Sequence, residues 1–133
     1  MTLVPSHDLR LTLDDLGTRF LQEFLEVEIG RHPENIEALV ELGQVYTTRG
    51  LWDEGLKVDL RLIRLLPASP TAHYNLACSY ALLKRTDAAL EALEQAVELG
   101  YDDGPFMAGD ADLASLRTDC RFQALIEHLS SMA

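Results

Sequence analysis

One pattern of residues occurs twice in this 133-residue chain at a spacing of 34, and no other feature limits the fold as much. Leu42, Tyr46, Asp53, Leu56 and Leu65 recur as Leu76, Tyr80, Asp87, Leu90 and Leu99, and Ala38 recurs as Ala72. The identities fall at the apolar and small positions that two packed helices need. A unit of this length is a helical hairpin, which cannot bury its apolar face alone, so successive copies must stack. The expected fold is all-α.

Taken in order, residues 1–11 carry no clear period and read as a frayed start. Thr12 with Asp15 then reads as a capping-box opening, the hydroxyl accepting from an early helical N–H and the carboxylate favouring the positive helix end. The helix that follows runs to about Gly30. Leu13, Leu16, Phe20, Phe24 and Val27 step by three or four, with Leu21 and Leu25 widening the stripe, which predicts one broad buried face.

Asn35 caps the next helix, from Ile36 to about Arg49, and Gly50 supplies a left-handed stop. Leu39, Leu42, Gly43 and Tyr46 are expected to face its partner, Gly43 because a side chain there would push apart axes that approach to about 8–10 Å. Trp52 opens the return helix and is read as packing over the helix ends; that helix stops at about Leu66, before Pro67. In the second hairpin Pro70 occupies the first turn of an outgoing helix to about Leu83. Thr86 is read as the cap of a return helix over 87–99, whose Ala88, Ala89, Ala92, Leu93, Ala96 and Leu99 form a small-residue face ended by Gly100. In the tail, a one-turn helix after Asp110 precedes a helix from Asp119 to about Ser130 with Phe122, Leu125, Ile126 and Leu129 apolar. That helix is expected to cover the outer side of the second hairpin, because a short stack leaves an open apolar face at its end.

The repeated unit resembles the tetratricopeptide repeat (TPR) family. Its first copy reads Leu39, Leu42-Gly43, Tyr46, Gly55 and Pro67, and its second His73, Leu76-Ala77, Tyr80, Ala89, Leu93 and Ala96. Asp59 stands where the family places an aromatic residue, and Tyr101 replaces the closing Pro. The tail residues Asp110, Asp112-Leu113, Leu116-Arg117, Asp119, Arg121-Phe122 and Leu125 resemble an ending common in short bacterial proteins of that family, with Cys120 in place of a Pro. The resemblance implies a right-handed α-solenoid of antiparallel helix pairs in a single domain, 1–133. Two full repeats, 36–69 and 70–103, lie between an N-terminal helix, 12–31, and a capping tail, 104–133. Pro33 lies 34 residues before Pro67, so the N-terminal helix resembles the second half of a repeat lacking its first half, with Glu28 on a normally small, buried position.

The resemblance also implies function: a non-enzymatic adaptor holding a protein or peptide in a concave groove lined by the outgoing helices. Carried over position by position, the groove residues are Glu37, Val40, Glu41, Gln44 and Thr48, then Thr71, Tyr74, Asn75, Cys78 and Leu82. Such a groove is acidic at the Glu37 and Glu41 end and apolar at Tyr74 and Leu82, which suits an extended peptide with a basic residue and an apolar anchor. The family's chaperone-binding branch grips a terminal carboxylate with Lys and Asn. Asn75 matches one such position, but Val40 and Gln44 fall where Lys and Asn belong, which excludes that branch. A second reading is a structural, self-assembling unit, a homodimer formed on the N-terminal face.

Other chemistries find no support. With 22 acidic and 11 basic residues the formal charge is -11, which repels nucleic acid and anionic membranes. Apolar runs are too short to span a bilayer, and the start lacks a basic-then-apolar leader, so a cytoplasmic protein is expected. Cys78 and Cys120 stand in no metal-ligand spacing and read as free thiols, and His7, His32, His73 and His128 form no ligand set, His73 reading as structural. Glu91, Glu94 and Glu98 line one solvated helix face; Asp102, Asp103, Asp110 and Asp112 lack a calcium-loop frame and read as turn and capping residues. With no phosphate loop or nucleophile motif either, no metal, cofactor or catalytic residue is expected. Lys57, Arg61 and Arg64 occupy nearly the repeat positions of Glu91, Glu94 and Glu98, so stacking is expected to set a basic stripe beside an acidic one.

Overall fold

The structure is a computed structural model that describes the backbone of residues 7–132 and the side chains of residues 16–132. Its helices are α1 (His7–Arg31), α2 (Ile36–Thr48), α3 (Trp52–Leu65), α4 (Pro70–Leu82), α5 (Thr86–Glu98), α6 (Gly104–Gly109) and α7 (Cys120–Ser131), with a 3₁₀ segment, Ala111–Leu116, before the last. There is no strand among the described residues. Each helix packs on the next in sequence through α5, and the 3₁₀ segment returns to α4 while α7 lies on α5 and α6. The result is a right-handed, layered all-α stack of antiparallel pairs.

Local chemistry explains most helix boundaries. Asn35 caps α2 through a bond from Ala38 N at 3.2 Å, and Ser69, immediately before Pro70, caps α4 through Ala72 N at 3.1 Å. Gly50 (φ +75°) and Gly100 (φ +114°) close α2 and α5 in the left-handed region. Lys84 occupies the repeat position of Gly50 and takes the same conformation, φ +61°, against the usual preference of an L-residue.

Several expectations are corrected. Those for residues 1–6 lie outside the described residues. The first helix begins by His7, so Thr12 is interior to it and opens nothing, and Gly30 is helical, the helix stopping at Arg31 before Pro33. Thr86 is the first residue of α5 and not its cap; Arg85 occupies that place with no side-chain bond. The tail holds one helix more than expected, a short one that Asp103 caps through Phe106 N at 3.1 Å. Trp52 does open α3 but stays 39% exposed. The basic stripe forms no ion pair with Glu91, Glu94 or Glu98 among the described residues; Lys57 pairs with Glu54, and Arg61 and Arg64 line a hollow beside Glu26.

The largest correction concerns α1. Leu25 and Ile29 are buried against α2 and Leu21 is half-buried, whereas Leu16, Phe20, Phe24 and Val27 stay between 53% and 72% exposed. Two apolar stripes run along this helix, and α2 is the main neighbour offered to them among the described residues. The stripe built on steps of four, Leu21, Leu25 and Ile29, takes it. Glu28, on the family's small buried position, is half-buried and accepts a bond from Asn35 Nδ2 at 3.1 Å.

Two apolar cores result. Leu25, Ile29, Leu39, Leu42, Tyr46 and Leu62 join α1 to the first hairpin. Leu76, Leu90, Leu93, Met107, Leu116 and Phe122 join the second hairpin to the tail, with Leu129 buried and Leu125 and Ile126 packed at its edge. The final helix is therefore a lid. Phe122 is 3% exposed, and Phe122→Ala should cost about 3–5 kcal/mol through lost burial and a cavity, read as a lower denaturation midpoint. At Gly43 an added Cβ would meet Val58 Cγ1 at 3.5 Å and Asp59 Oδ1 at 3.6 Å, ordinary contact distances. Gly43→Ala should thus raise stability by up to about 1 kcal/mol through helix propensity, while Gly43→Leu should lower it by about 1–3 kcal/mol through overpacking. Thermal melts of both variants check the pair.

Candidate functional site

Helices α2 and α4 each pack on α3 and face one another, and the tail folds across one end through α6 and the 3₁₀ segment. Between them lies a concave cavity of about 710 Å³. Small and polar side chains keep it open. Gly43 and Thr47 line it from α2, Asp59 and Leu62 from α3, and Ser79 from α4.

Of the residues expected to line a groove, Val40, Gln44 and Thr48 stand on its α2 wall, and Thr71, Tyr74, Asn75 and Cys78 on its α4 wall. Three do not reach it. Glu37 and Glu41 are exposed on α2 outside the cavity, and Leu82 is half-buried at the end of α4. The expected charge distribution is reversed as a consequence: the carboxylates in the cavity come from Asp59 and from the tail residues Asp103, Asp110 and Asp112.

Asp103 and Asp110 do act as caps, as their sequence context suggests, while Asp112 lies within the 3₁₀ segment. Asp110 Oδ1 accepts from Asp112 N at 3.0 Å and so starts the 3₁₀ segment. The same carboxylate does more, because its Oδ2 accepts from the Tyr74 hydroxyl at 2.7 Å and lies 3.8 Å from Cys78 Sγ. Tyr101, which stands where the family closes with Pro, stacks on Tyr74 at 4.5 Å between centroids and 11° between planes. Phe106 tilts against Tyr74 at 6.1 Å and remains 58% exposed on the rim. Three rings and a carboxylate turn thus form one end wall.

Asp59, which replaces the family's aromatic, is 7% exposed on the cavity floor, and its Oδ2 accepts from Ser79 Oγ at 2.5 Å. Burial pushes its carboxyl up to about 6, with the Ser79 bond pulling the other way. Burial, then the neighbouring Asp110 charge, also raises Asp112. Burial followed by the nearby aspartates raises the Cys78 thiol, so at neutral pH it is protonated and a poor nucleophile. Burial and the bond to Asp110 raise the Tyr74 phenol. No group of three or more His, Cys, Asp and Glu able to hold a metal occurs among the described residues. The arrangement offers recognition surface.

Sequence reasoning missed Asp59, Tyr101 and Phe106 as cavity residues. The two departures from the family pattern, Asp59 and Tyr101, were the available signal; Phe106 carried none.

The raised acidity constant of Asp59 has a testable consequence. Between the ordinary carboxylate value and about 6 the folded chain holds a proton that the unfolded chain releases, so stability falls as pH rises through that window. Asp59→Asn should therefore stabilise the protein at pH values above about 7, by on the order of 1–3 kcal/mol, and have little effect near pH 4. Denaturant melts of both proteins across that range test it; a gain that is the same at all pH values rejects the assignment.

Comparison with known proteins agrees with this architecture. The tetratricopeptide repeat family model matches residues 70–103. A chloroplastic protein of Arabidopsis thaliana is 34% identical over 91 residues, 64% of this chain, and the chain spans about a quarter of that relative's length, 26%. A crystal structure of MamA superposes with a TM-score of 0.70 over 95% of this chain and 71% of its own, at 20% identity. A second MamA structure, residues 41 to the end from Desulfovibrio magneticus RS-1, gives 0.70 over 93% and 70% at 18% identity. At these identities the structural likeness is one of fold.

Proposed function

The chain is a tetratricopeptide-repeat protein, and from that premise we propose that it is a non-enzymatic adaptor that holds a segment of another protein in the cavity between α2 and α4. One observation carries this reading: a concave space of about 710 Å³ floored by side chains of three successive helices and walled by aromatic rings. A volume of that size accepts several side chains of an extended segment. The cavity's one thiol, Cys78, lies 3.8 Å from the Asp110 carboxylate but is kept protonated by burial and the nearby aspartates, which favours binding over catalysis. No helix of the described residues is long and apolar enough to cross a membrane. Together with a charge of -11, that supports an adaptor working in the cytoplasm on protein partners, away from nucleic acid and lipid, without metal or cofactor. Residues 1–133 act as one domain in this reading, with 36–69 and 70–103 as its repeats, 12–31 as a half repeat and 104–133 as its cap.

The test is affinity capture from the native source with two baits. Thr48→Arg combined with Asn75→Arg sets bulky cations on opposite walls of the cavity without touching either core, and circular dichroism verifies its fold. Partners retained by the wild type should be lost by this variant. The same partners on both baits would move the binding surface elsewhere.

A second reading, self-assembly, is favoured by the α1 stripe. Leu16, Phe20, Phe24 and Val27 lie on one face and present roughly 400 Å² of apolar surface, as large as the largest patch of many monomers. Two copies pairing there antiparallel would set Phe20 beside the other copy's Phe24 and cover both stripes. Sedimentation over a dilution series decides it: a dimer that Phe20→Glu with Phe24→Glu dissociates supports pairing on α1, and a wild-type monomer at micromolar concentration excludes it.

A further inference from the structure

We infer that the cavity selects a partner segment carrying a cationic side chain, arginine above all, whose head group seats between Asp59 and the Asp110–Asp112 turn while its stem lies against Phe106. This rests on the reading of the cavity as the partner-binding surface. It adds the partner's chemistry.

Charge is the first argument. Four carboxylates, Asp59, Asp103, Asp110 and Asp112, border the cavity, and no Lys, Arg or His does. None of the four is in an ion pair among the described residues, although Arg121 and Lys57 elsewhere find acidic partners. Carboxylates converging on one concave space repel one another and an anionic visitor, and low-dielectric walls sharpen that preference.

Burial is the second. Asp59 is more than nine-tenths buried and receives one neutral donor, Ser79, on Oδ2. Its Oδ1 stands 3.6 Å from where a Cβ on Gly43 would lie, at the close α2–α3 contact, and Ser79 is the donor this carboxylate finds among the described residues. A desolvated carboxylate with a single neutral donor lacks the counter-charge that buried acids ordinarily have. A guanidinium supplies it, with several N–H donors to offer the carboxylates that border the cavity.

The third argument is the aromatic wall. Tyr74 and Tyr101 are stacked, and Phe106 stands exposed beside them. Ring faces accept a cation and also cover the methylene stem of Arg or Lys, so apolar area and charge serve one side chain. Both sets of groups are already held in place by the fold: Asp110 by Tyr74 and by its capping bond, Asp59 by Ser79. The head group therefore meets oriented acceptors and little ordering cost.

The probes are three blocked nonapeptides of alanine and serine with one leucine, identical except for a central Arg, Gln or Glu. Each is titrated at physiological salt into the isotopically labelled full chain, and amide shifts report place and affinity. The Arg peptide should shift amides around Asp59, Tyr74 and Asp110 and bind at least about tenfold tighter than the Gln peptide, the scale of one desolvated charge pair, with the Glu peptide weakest. Asp59→Asn and Asp112→Asn, tested separately because either can perturb packing, should each weaken the Arg peptide severalfold. Glu91→Gln, which removes the same charge from the exposed face of α5, should leave its affinity within about twofold, as expected for a screened surface charge. If the Gln peptide binds the cavity as tightly as the Arg peptide, the cavity reading stands and the cation assignment falls. Equal losses from Glu91→Gln and the cavity variants, or shifts confined to outer faces, reduce binding to general attraction by an acidic chain and overturn the inference. No cavity shifts with any peptide at millimolar concentration remove the cavity reading as well.

Discussion

The structure depends on how closely the two helices of each hairpin can approach. Gly43 and Gly55 hold that place in the first repeat and Ala77 and Ala89 in the second, all four buried. At Gly55 an added Cβ would meet Thr47 Oγ1 at 3.6 Å, Ser79 Oγ and Tyr46 Cβ, so three helices converge on one backbone position. Small residues at the contact draw the axes together and tilt each hairpin on the last. The concavity is the geometric remainder of that tilt. It exists because the helices touch behind it.

Close approach has an electrostatic consequence. Where the family places a bulky aromatic, this chain has Asp59, and the space a ring would fill becomes a polar floor bonded to Ser79 across the repeat boundary. A paired buried acid adds little to stability, since desolvation offsets most of what its hydrogen bond contributes. Its position suits recognition better than packing. Tyr101 repeats the logic at the end of α5: in place of a Pro that would only terminate, a ring stacks on Tyr74 and ties the tail to the groove. The tail therefore closes the core with Leu113, Leu116 and Phe122 and also supplies the acidic wall with Asp103, Asp110 and Asp112.

The opposite end of the stack is organised by a shortage of neighbours. Helix α1 carries apolar residues on two faces and packs chiefly on α2 among the described residues. Tyr46 fixes it in place through a 3.0 Å bond to Glu26, and Arg49 reaches Gln22; burial and that carboxylate push the Tyr46 phenol up to about 12. Polar ties on one side and a stripe of exposed Leu, Phe and Val on the other give the molecule two unlike ends, one sealed by α7 and one open.

The period of 34 was sufficient to establish the helical hairpins and their stacking, and the apolar spacing of the tail a lid at the C-terminal end, because each follows from local rules: spacing of apolar residues, a cap such as Asn35, and a stop such as Gly50. The family resemblance implied that the two outgoing helices line a groove, and seven of the ten residues so named border the cavity. Which of two apolar stripes on α1 is buried could not be read that way, because periodicity reports that a face is apolar and not whether a neighbour exists to cover it. The acidic end of the groove was hidden for a related reason. Asp59 is 51 residues from Asp110, and a capping aspartate looks the same in sequence whether its free oxygen faces solvent or a cavity. Only the return of the chain over α4 brings those carboxylates together, since convergence across distant segments is a property of packing and not of any local stretch.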